Sequence, residues 1–199
     1  MANTQATFGF RHIGYLSGGA PDYQLATGII ASAYGTKIFR GDPVIYNTST
    51  GKIEQGSDNT SMLAGIFDGC VYTPVGGIPT WSPFWPAGGA VADATAYIIN
   101  AQNALFLAAA LNTSLVQANV GENVGYAIGT GHTANGVSAA TVDQSTLNTT
   151  LTLPFRVVAI VGTSGNFGVV GNGSDSSTPY GWAVVSFNNE MFKTQTGLA

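Results

Sequence analysis

Turn-forming residues interrupt this chain so often that no long helix fits between them. Short runs of β-branched and aromatic residues alternate with clusters of Gly, Pro, Asn and Asp, about every 8–12 residues. No segment sustains the 3.6-residue apolar period of an amphipathic helix. Regular turn spacing of this kind is typical of antiparallel sandwiches and barrels. The sequence therefore predicts an all-β fold, a sandwich or a barrel, of jelly-roll-like or β-tulip-like form.

The individual strand candidates follow from the same alternation. Residues 63–73 are the best central strand, because β-branched and aromatic side chains dominate them. Residues 96–100 and 104–108 indicate a hairpin, and residues 37–46 indicate two short strands around a Gly-Asp-Pro turn. One helical turn within 115–124, ended by a glycine, is the only helix that the pattern suggests. The other strand candidates are 23–31, 124–129, 137–143, 155–161 and 181–192.

The first 20 residues differ from the rest, and we interpret them as an extended N-terminal arm. Small polar residues lead in, large apolar residues follow, and a Gly-Gly pair and a proline close the segment. Phe8 and Phe10 have the two-residue spacing of a strand, so a first strand of the sheet is the alternative. We expect residues 1–20 to form this arm, with residues 2–16 serving attachment rather than folding, and residues 21–199 to form a single β-rich domain. The predicted contact residues of the arm are Phe8, Phe10, Arg11, His12, Ile13 and Tyr15.

A second candidate contact segment is the aromatic stretch 78–86. It holds two Trp, one Phe and three Pro in nine residues. Proline is confined to sheet edges and bulges, so this stretch is predicted to be an edge strand or a rigid loop that presents its aromatic rings. Aromatic side chains bury a large area with few rotatable bonds, which suits them as interface anchors. We predict that Trp81, Phe84 and Trp85 contact a partner protein or another copy of this chain.

Charge is scarce in this chain. Only 8% of its residues are charged, against about 25% in ordinary domains. Interface cores are depleted in charged groups, so a neutral, hydrogen-bonding surface suits lasting contact with protein. We accordingly expect a homo-oligomer, and favour a trimer over a dimer.

Nucleic acids and membranes are not expected partners. Residues 53–155 hold six carboxylates and no Lys or Arg, whereas neutralising phosphates requires clustered basic side chains. The longest apolar stretch, 104–111, is too short to span a bilayer, which needs about 20 residues.

The sequence offers few groups that could form a catalytic site. Neither His12 nor His132 lies in a catalytic signature, and the chain has no G-x-S-x-G or phosphate-loop motif. Cys70 is the only cysteine and follows a glycine in an apolar run, so we expect a buried small hydrophobe. Clustered metal-ligand spacings are absent as well. We therefore predict a protein that is not an enzyme and takes no cofactor or metal.

One alternative with a different chemistry remains, a carbohydrate-binding or depolymerase-type surface protein. Two carboxylates at a suitable separation would supply a glycosidase acid and base, and exposed aromatic rings would supply a sugar platform. The residues available for these roles are Asp68, Asp93, Glu122 and Asp143 for the acids, and Trp81, Phe84, Trp85 and Trp182 for the platform.

The order of several motifs resembles the head decoration, or cement, proteins of tailed double-stranded-DNA phages. The resemblance runs nearly from end to end, and each motif alone is weakly specific. The motifs are ANTQATFGFRHIGYLSGG at the start, IFRGDPV (38–44), GIFDGCVYT (65–73), WSPFWPAG (81–88), ENVGYAIGTG (122–131), VSAATVDQSTLNTTLTLPFRVVAIVG (137–162) and WAVVSFNNEMFKTQTG (182–197).

The resemblance implies a structural virion protein, made in the host cytoplasm, that binds the outer surface of an assembled icosahedral capsid. Its partners would be the major capsid protein and further copies of itself, and its role would be to stabilise contacts between capsid subunits. The family carries no catalytic residues and no cofactor.

Overall fold

The computed structural model describes residues 7–22, 25–57, 59, 62–111, 115–161 and 179–193. Within these ranges the chain forms strands, one short 3₁₀ turn at Gln117–Asn119, and no α-helix. The strands are β1 (Arg11–Tyr15), β2 (Ala26–Ile30), β3 (Ile38–Phe39), β4 (Pro43–Tyr46), β5 (Ile53–Gln55), β6 (Gly65–Tyr72), β7 (Thr80–Ser82), β8 (Phe84–Trp85), β9 (Ala94–Ile99), β10 (Ala104–Ala109), β11 (Asn123–Ala127), β12 (Thr141–Asn148), β13 (Phe155–Val161) and β14 (Trp182–Phe187).

Two antiparallel sheets carry most of the fold, in a sandwich-like arrangement. The first has six strands in the order β1-β10-β14-β13-β11-β12. The second has the order β2-β9-β6-β4-β5, and β7 also pairs with β6. Strands β3 and β8 form a separate two-stranded ribbon. The all-β prediction is confirmed, and of the two predicted architectures the sandwich forms, because the sheets do not close into a barrel.

Strand β6 shows why residues 63–73 stand out as a central strand. Ile66 packs in the cluster that also holds Phe155 of the first sheet, whereas its neighbour Phe67 packs in a different cluster with Trp85. Successive side chains of a strand point to opposite faces of the sheet. Since apolar neighbours bury both faces of β6, nearly all of its side chains must be apolar.

Strand β10 is likewise buried on both faces. Phe106 packs in the cluster that joins the two sheets, and Leu105 and Leu107 pack on the outer face of the first sheet. All six residues of the strand are buried. The first sheet therefore carries apolar clusters on both of its faces.

The hairpin predicted across residues 101–103 does not form. Strand β9 pairs with β2 and β6 in the second sheet, whereas β10 pairs with β1 and β14 in the first. The short connection therefore crosses from one sheet to the other. A tight turn is compatible both with a hairpin in one sheet and with a crossing between two sheets. The long-range pairings of β9 and β10 decide for the crossing.

The turn predicted within residues 37–46 is confirmed, and a buried carboxylate holds it in place. Gly41 has a φ of +96°, in the region that favours glycine. Asp42 accepts hydrogen bonds from the Phe39 nitrogen and from Gln55 Nε2, both at 2.8 Å, and from the Ser138 hydroxyl. Burial raises the pKa of Asp42, and these hydrogen bonds oppose the shift.

Two smaller predictions are also confirmed. The helical turn Gln117–Asn119 is followed by Gly121, whose φ is +96°. Cys70 is buried and free, and burial raises the pKa of its thiol to about 12. The thiol therefore behaves as a small apolar group.

The arm interpretation needs correction for the residues that form β1. Strand β1 pairs with β10 at the edge of the first sheet, and the Phe10 nitrogen donates to the Gly41 carbonyl at 2.9 Å. An extended segment beside an unpaired sheet edge gains backbone hydrogen bonds, which favours docking. Residues 11–15 are thus the first strand that we considered as the alternative. Residues 1–6 lie outside the described part of the chain.

Candidate functional site

Three of the predicted contact residues lie on the outer face of the first sheet. Phe8 and Ile13 pack there against a buried cluster, beside Trp182. The rings of Phe8 and Trp182 meet edge to face with centroids 5.1 Å apart, and the Arg11 guanidinium lies 5.7 Å from the Phe8 centroid. We call Phe8, Arg11, Ile13 and Trp182 the outer cluster. Phe8 and Ile13 are half-buried and Arg11 is exposed, so a partner can reach part of this surface.

Phe10 belongs to the core and not to a contact surface, which corrects its prediction. It is 2% exposed and stacks on Phe155, with ring centroids 4.4 Å apart and planes inclined by 12°. Phe8 and Phe10 both precede an edge strand, yet they point to opposite sides of the sheet. Phe10 therefore faces the second sheet, where packing excludes any partner.

His12 and Tyr15 are half-buried and are held by contacts within the chain. The Nε2 atom of His12 donates to the Gly14 carbonyl at 3.1 Å, and the Tyr15 hydroxyl donates to Asp22. Burial lowers the pKa of His12, against the smaller raising effects of that hydrogen bond and of nearby carboxylates. The imidazole is therefore neutral at pH 7.

A cleft opens between β1 and the turn that holds Arg40 and Gly41. Its volume is about 270 Å³, and the predicted residues Phe8, Phe10, Arg11 and His12 line it. The remaining lining residues are Arg40, Gly41, Ile66, Phe67, Asp68, Ile99 and Val137. We call this the basic cleft, because two of the chain's six Lys and Arg residues lie on it.

The second candidate surface is a ridge of exposed apolar side chains. Val75 and Ile78, on the β6–β7 connection, are 76% and 78% exposed, and Trp81 of β7 is 54% exposed. Val91 joins them, because the Val75 nitrogen donates to the Gly89 carbonyl and the Val91 nitrogen donates to the Thr73 carbonyl. We call Val75, Ile78, Trp81 and Val91 the apolar ridge.

The other two predicted aromatic residues do not share this exposure. Trp85 is fully buried, donates from Nε1 to the Tyr34 carbonyl at 2.9 Å, and meets the Tyr72 ring edge to face. Its prediction as a contact residue is wrong, because β8 turns it into the core when it pairs with β3. Phe84 is half-buried and stacks on Phe39. Trp81 is the ring of the predicted three that is mainly exposed.

Sequence reasoning missed several members of these surfaces. Val75, Ile78 and Val91 lie in or beside Gly- and Pro-rich turns, and apolar residues at such positions are a usable signal of exposure. Arg40 and Asp68 meet at 2.8 Å although 28 residues separate them, and no local pattern reveals such a pair.

The four carboxylates considered for glycosidase chemistry each accept a hydrogen bond from another side chain of this chain. Asp68 pairs with Arg40, and Asp93 pairs with Lys52 at 2.7 Å. The hydrogen bond from Lys52 lowers the pKa of Asp93. Glu122 accepts from the Asn119 amide, and Asp143 accepts from the Ser145 hydroxyl.

Two general features of the described residues bear on the site. No three His, Cys, Asp or Glu side chains in this part of the chain group into a set that could hold a metal ion. It also contains no helix long and apolar enough to cross a membrane.

Comparison of the chain with models of known protein families, with curated proteins and with solved structures finds no match. The resemblance to phage decoration proteins thus stands on the sequence motifs alone.

Proposed function

We propose that this protein is a structural protein of a virion, and that it decorates the outer capsid surface and stabilises contacts between major capsid subunits. The resemblance in sequence motifs supplies the partner class. The apolar ridge is the single structural observation that carries the proposal.

The ridge is suited to a protein interface because its apolar groups are exposed and its backbone is held in place. Strand β7 pairs with β6 through Ser82, Trp81 and Thr80, and the bridge between Pro74 and Ala90 closes the other side. A backbone fixed in this way has little conformational entropy of its own left to lose on binding. Exposed apolar side chains that are grouped into one patch of a protein surface mark interaction sites.

The composition of the chain supports the same class of function. Few of its side chains are charged, so covering its surface by another protein desolvates few charged groups. The outer cluster supplies a second contact with an aromatic pair and one guanidinium.

Capsids of the virus that encodes this chain, assembled without it, provide the test. The purified protein is mixed with these capsids and sedimented, and the amount that pellets with the capsids is measured. We expect Trp81→Ser and Ile78→Ser each to weaken binding about thirtyfold, because a central interface anchor contributes about 2 kcal/mol. Ile78 is 78% exposed, so Ile78→Ser should leave the melting temperature unchanged. The Trp81 ring is 54% exposed and also packs over Gly69, so Trp81→Ser should lower the melting temperature slightly.

Leu151→Ser is the matched control, since Leu151 is also exposed but lies between β12 and β13 of the other sheet. It should bind capsids like the unmodified protein. Equal binding by all four proteins would contradict the role of the ridge, and no binding by any of them would contradict capsid decoration.

The carbohydrate alternative is not proposed, because the aromatic rings that it needs do not form one platform. Trp85 is buried and Phe84 is half-buried, which leaves Trp81 as the exposed ring of the segment. A glycan array in which binding depends on Trp81 would restore that alternative.

A further inference from the structure

The basic cleft combines an apolar floor with a charged rim. Phe8 and Val137, which are both half-buried, provide the accessible apolar floor of the cleft, while Arg11, Arg40 and Asp68 bring charge to it. Its volume of about 270 Å³ lies just below the roughly 300–1,000 Å³ of pockets for drug-sized ligands. The cleft is therefore of a size for one side chain rather than for a cofactor.

The charge on the cleft is unusual for this chain. The chain has six Lys and Arg residues and ten Asp and Glu residues, yet two cations and one carboxylate line this cavity. His12 also lines it, and the lowered pKa leaves its ring neutral at pH 7. The cleft thus carries a net positive charge on an acidic protein, which favours an anionic ligand.

Arg40 has hydrogen-bonding capacity left for such a ligand. Its Nε atom donates to Asp68 at 2.8 Å, and its side chain is half exposed. A guanidinium carries five N–H donors, and the Nε contact uses one of them. The remaining N–H groups of Arg40, on Nη1 and Nη2, have the geometry to donate a pair of hydrogen bonds to a planar carboxylate.

The floor and Asp68 narrow the choice of anion. An aliphatic stem suits the apolar floor, as in a glutamate side chain, whereas inorganic phosphate has no apolar part. The Asp68 carboxylate repels a doubly charged phosphate more strongly than a singly charged carboxylate. Both features favour a carboxylate on a short apolar stem.

We propose that the basic cleft binds a glutamate side chain of an extended acidic peptide segment in the partner protein. The inference rests on the proposed function only for the identity of that partner. Binding of a peptide is measured without capsids, so a failure here and a failure of capsid decoration are told apart.

The experiment titrates ¹⁵N-labelled full-length protein with two peptides and follows amide shifts by NMR. The probes are acetyl-Ala-Leu-Glu-Leu-Ala-amide and its counterpart with Gln in place of Glu. We expect the Glu peptide to shift the amides of Arg11, Gly41 and Asp68 with a millimolar Kd. The Gln peptide should bind about tenfold more weakly, since it lacks the charge-assisted hydrogen bond to Arg40.

Three variants test the assignment to the cleft. Arg40→Gln and Arg11→Gln should each weaken Glu-peptide binding severalfold to tenfold. Asp68→Asn removes the competing carboxylate and should tighten binding severalfold. Lys37→Gln, which changes an exposed cation outside this cleft, should leave the Kd unchanged. Arg11 is exposed, so its substitution keeps the test valid even if Arg40→Gln fails to fold.

Several results would overturn the proposal. Equal shifts from the Glu and Gln peptides would show that the protein does not recognise the carboxylate. Shifts confined to residues away from the cleft would show that the peptide binds elsewhere. Tighter binding of inorganic phosphate than of the Glu peptide would make the cleft a phosphate site instead. If neither Asp68→Asn nor Arg11→Gln changed the Kd of the Glu peptide, the peptide would bind outside the basic cleft.

Discussion

Glu190 is a buried acid close to the end of the described chain. Its side chain is fully buried, and Oε2 accepts a hydrogen bond from the Phe192 nitrogen at 3.0 Å. The other carboxylate oxygen is buried without a hydrogen-bond partner among the described residues. Burial raises the pKa of Glu190 to about 7, against the lowering effects of backbone hydrogen bonds and of Lys193. An ionised Glu190 therefore destabilises the folded state.

The first prediction concerns Glu190→Gln. The unfolded chain releases this proton near pH 4.5 and the folded chain near pH 7, so the Glu190 contribution to stability is fully present below pH 4.5 and is lost as the pH rises to 7. We expect the variant to match the unmodified protein at pH 4. At pH 8 it should gain up to about 3 kcal/mol in the free energy of unfolding. Urea unfolding at several pH values measures the difference.

Glu122→Gln serves as the control, because Glu122 lies in a partly exposed turn. A stability difference for Glu190→Gln that stays constant from pH 4 to pH 8 would show that Glu190 titrates normally.

At the scale of elements, β1 is where the structure most changes the interpretation of the sequence. The segment predicted to serve attachment supplies an edge strand and, through Phe10, part of the core. Its docking also depends on Gly9, whose φ is +70° and where a Cβ atom would lie 2.6 Å from the Ser138 Cβ. The segment is thus fitted to its own domain.

Deleting residues 1–16 should therefore lower the melting temperature, contrary to the behaviour of a free arm. Loss of the Phe10 side chain from the core alone costs about 3–5 kcal/mol, and a protein of this size loses roughly 2–4 °C per kcal/mol. We expect a fall of about 10 °C or more, measured by circular dichroism. Arg11→Ala removes an exposed side chain of the same strand and should melt like the unmodified protein. A truncated protein with an unchanged melting temperature would restore the arm interpretation.

At the scale of the whole molecule, apolar surface remains exposed at the ridge and at the outer cluster. Val75 and Ile78 are more than three-quarters exposed, and Phe8 and Ile13 are half-buried on another face. Under the proposed function, one of these two surfaces would contact another copy of the chain and the other would contact the capsid.

We accordingly expect a homo-oligomer in solution, a trimer in preference to a dimer. Light scattering with size exclusion at micromolar concentration should give a mass near three times the 20.4 kDa of one chain. Substitution of Ile13 by Ser in the outer cluster is expected to shift the protein toward the monomer, while the exposed control Leu151→Ser keeps the oligomer. A monomer mass for the unmodified protein would count against this prediction.

The sequence by itself determined the all-β class, most strand positions, the turn at residues 41–43 and the burial of Cys70. These features depend on local properties, namely the alternation of side chains, the turn residues and the apolar runs. Tertiary structure alone decided which strands pair. It sent β9 and β10 to different sheets, paired β1 with β10, and brought Arg40 to Asp68.

Trp81 and Trp85 are the same residue type four positions apart, yet one is 54% exposed and the other is fully buried. Strand β7 pairs with β6 and β8 pairs with β3, and these long-range pairings set the exposure of each ring, which no local pattern encodes.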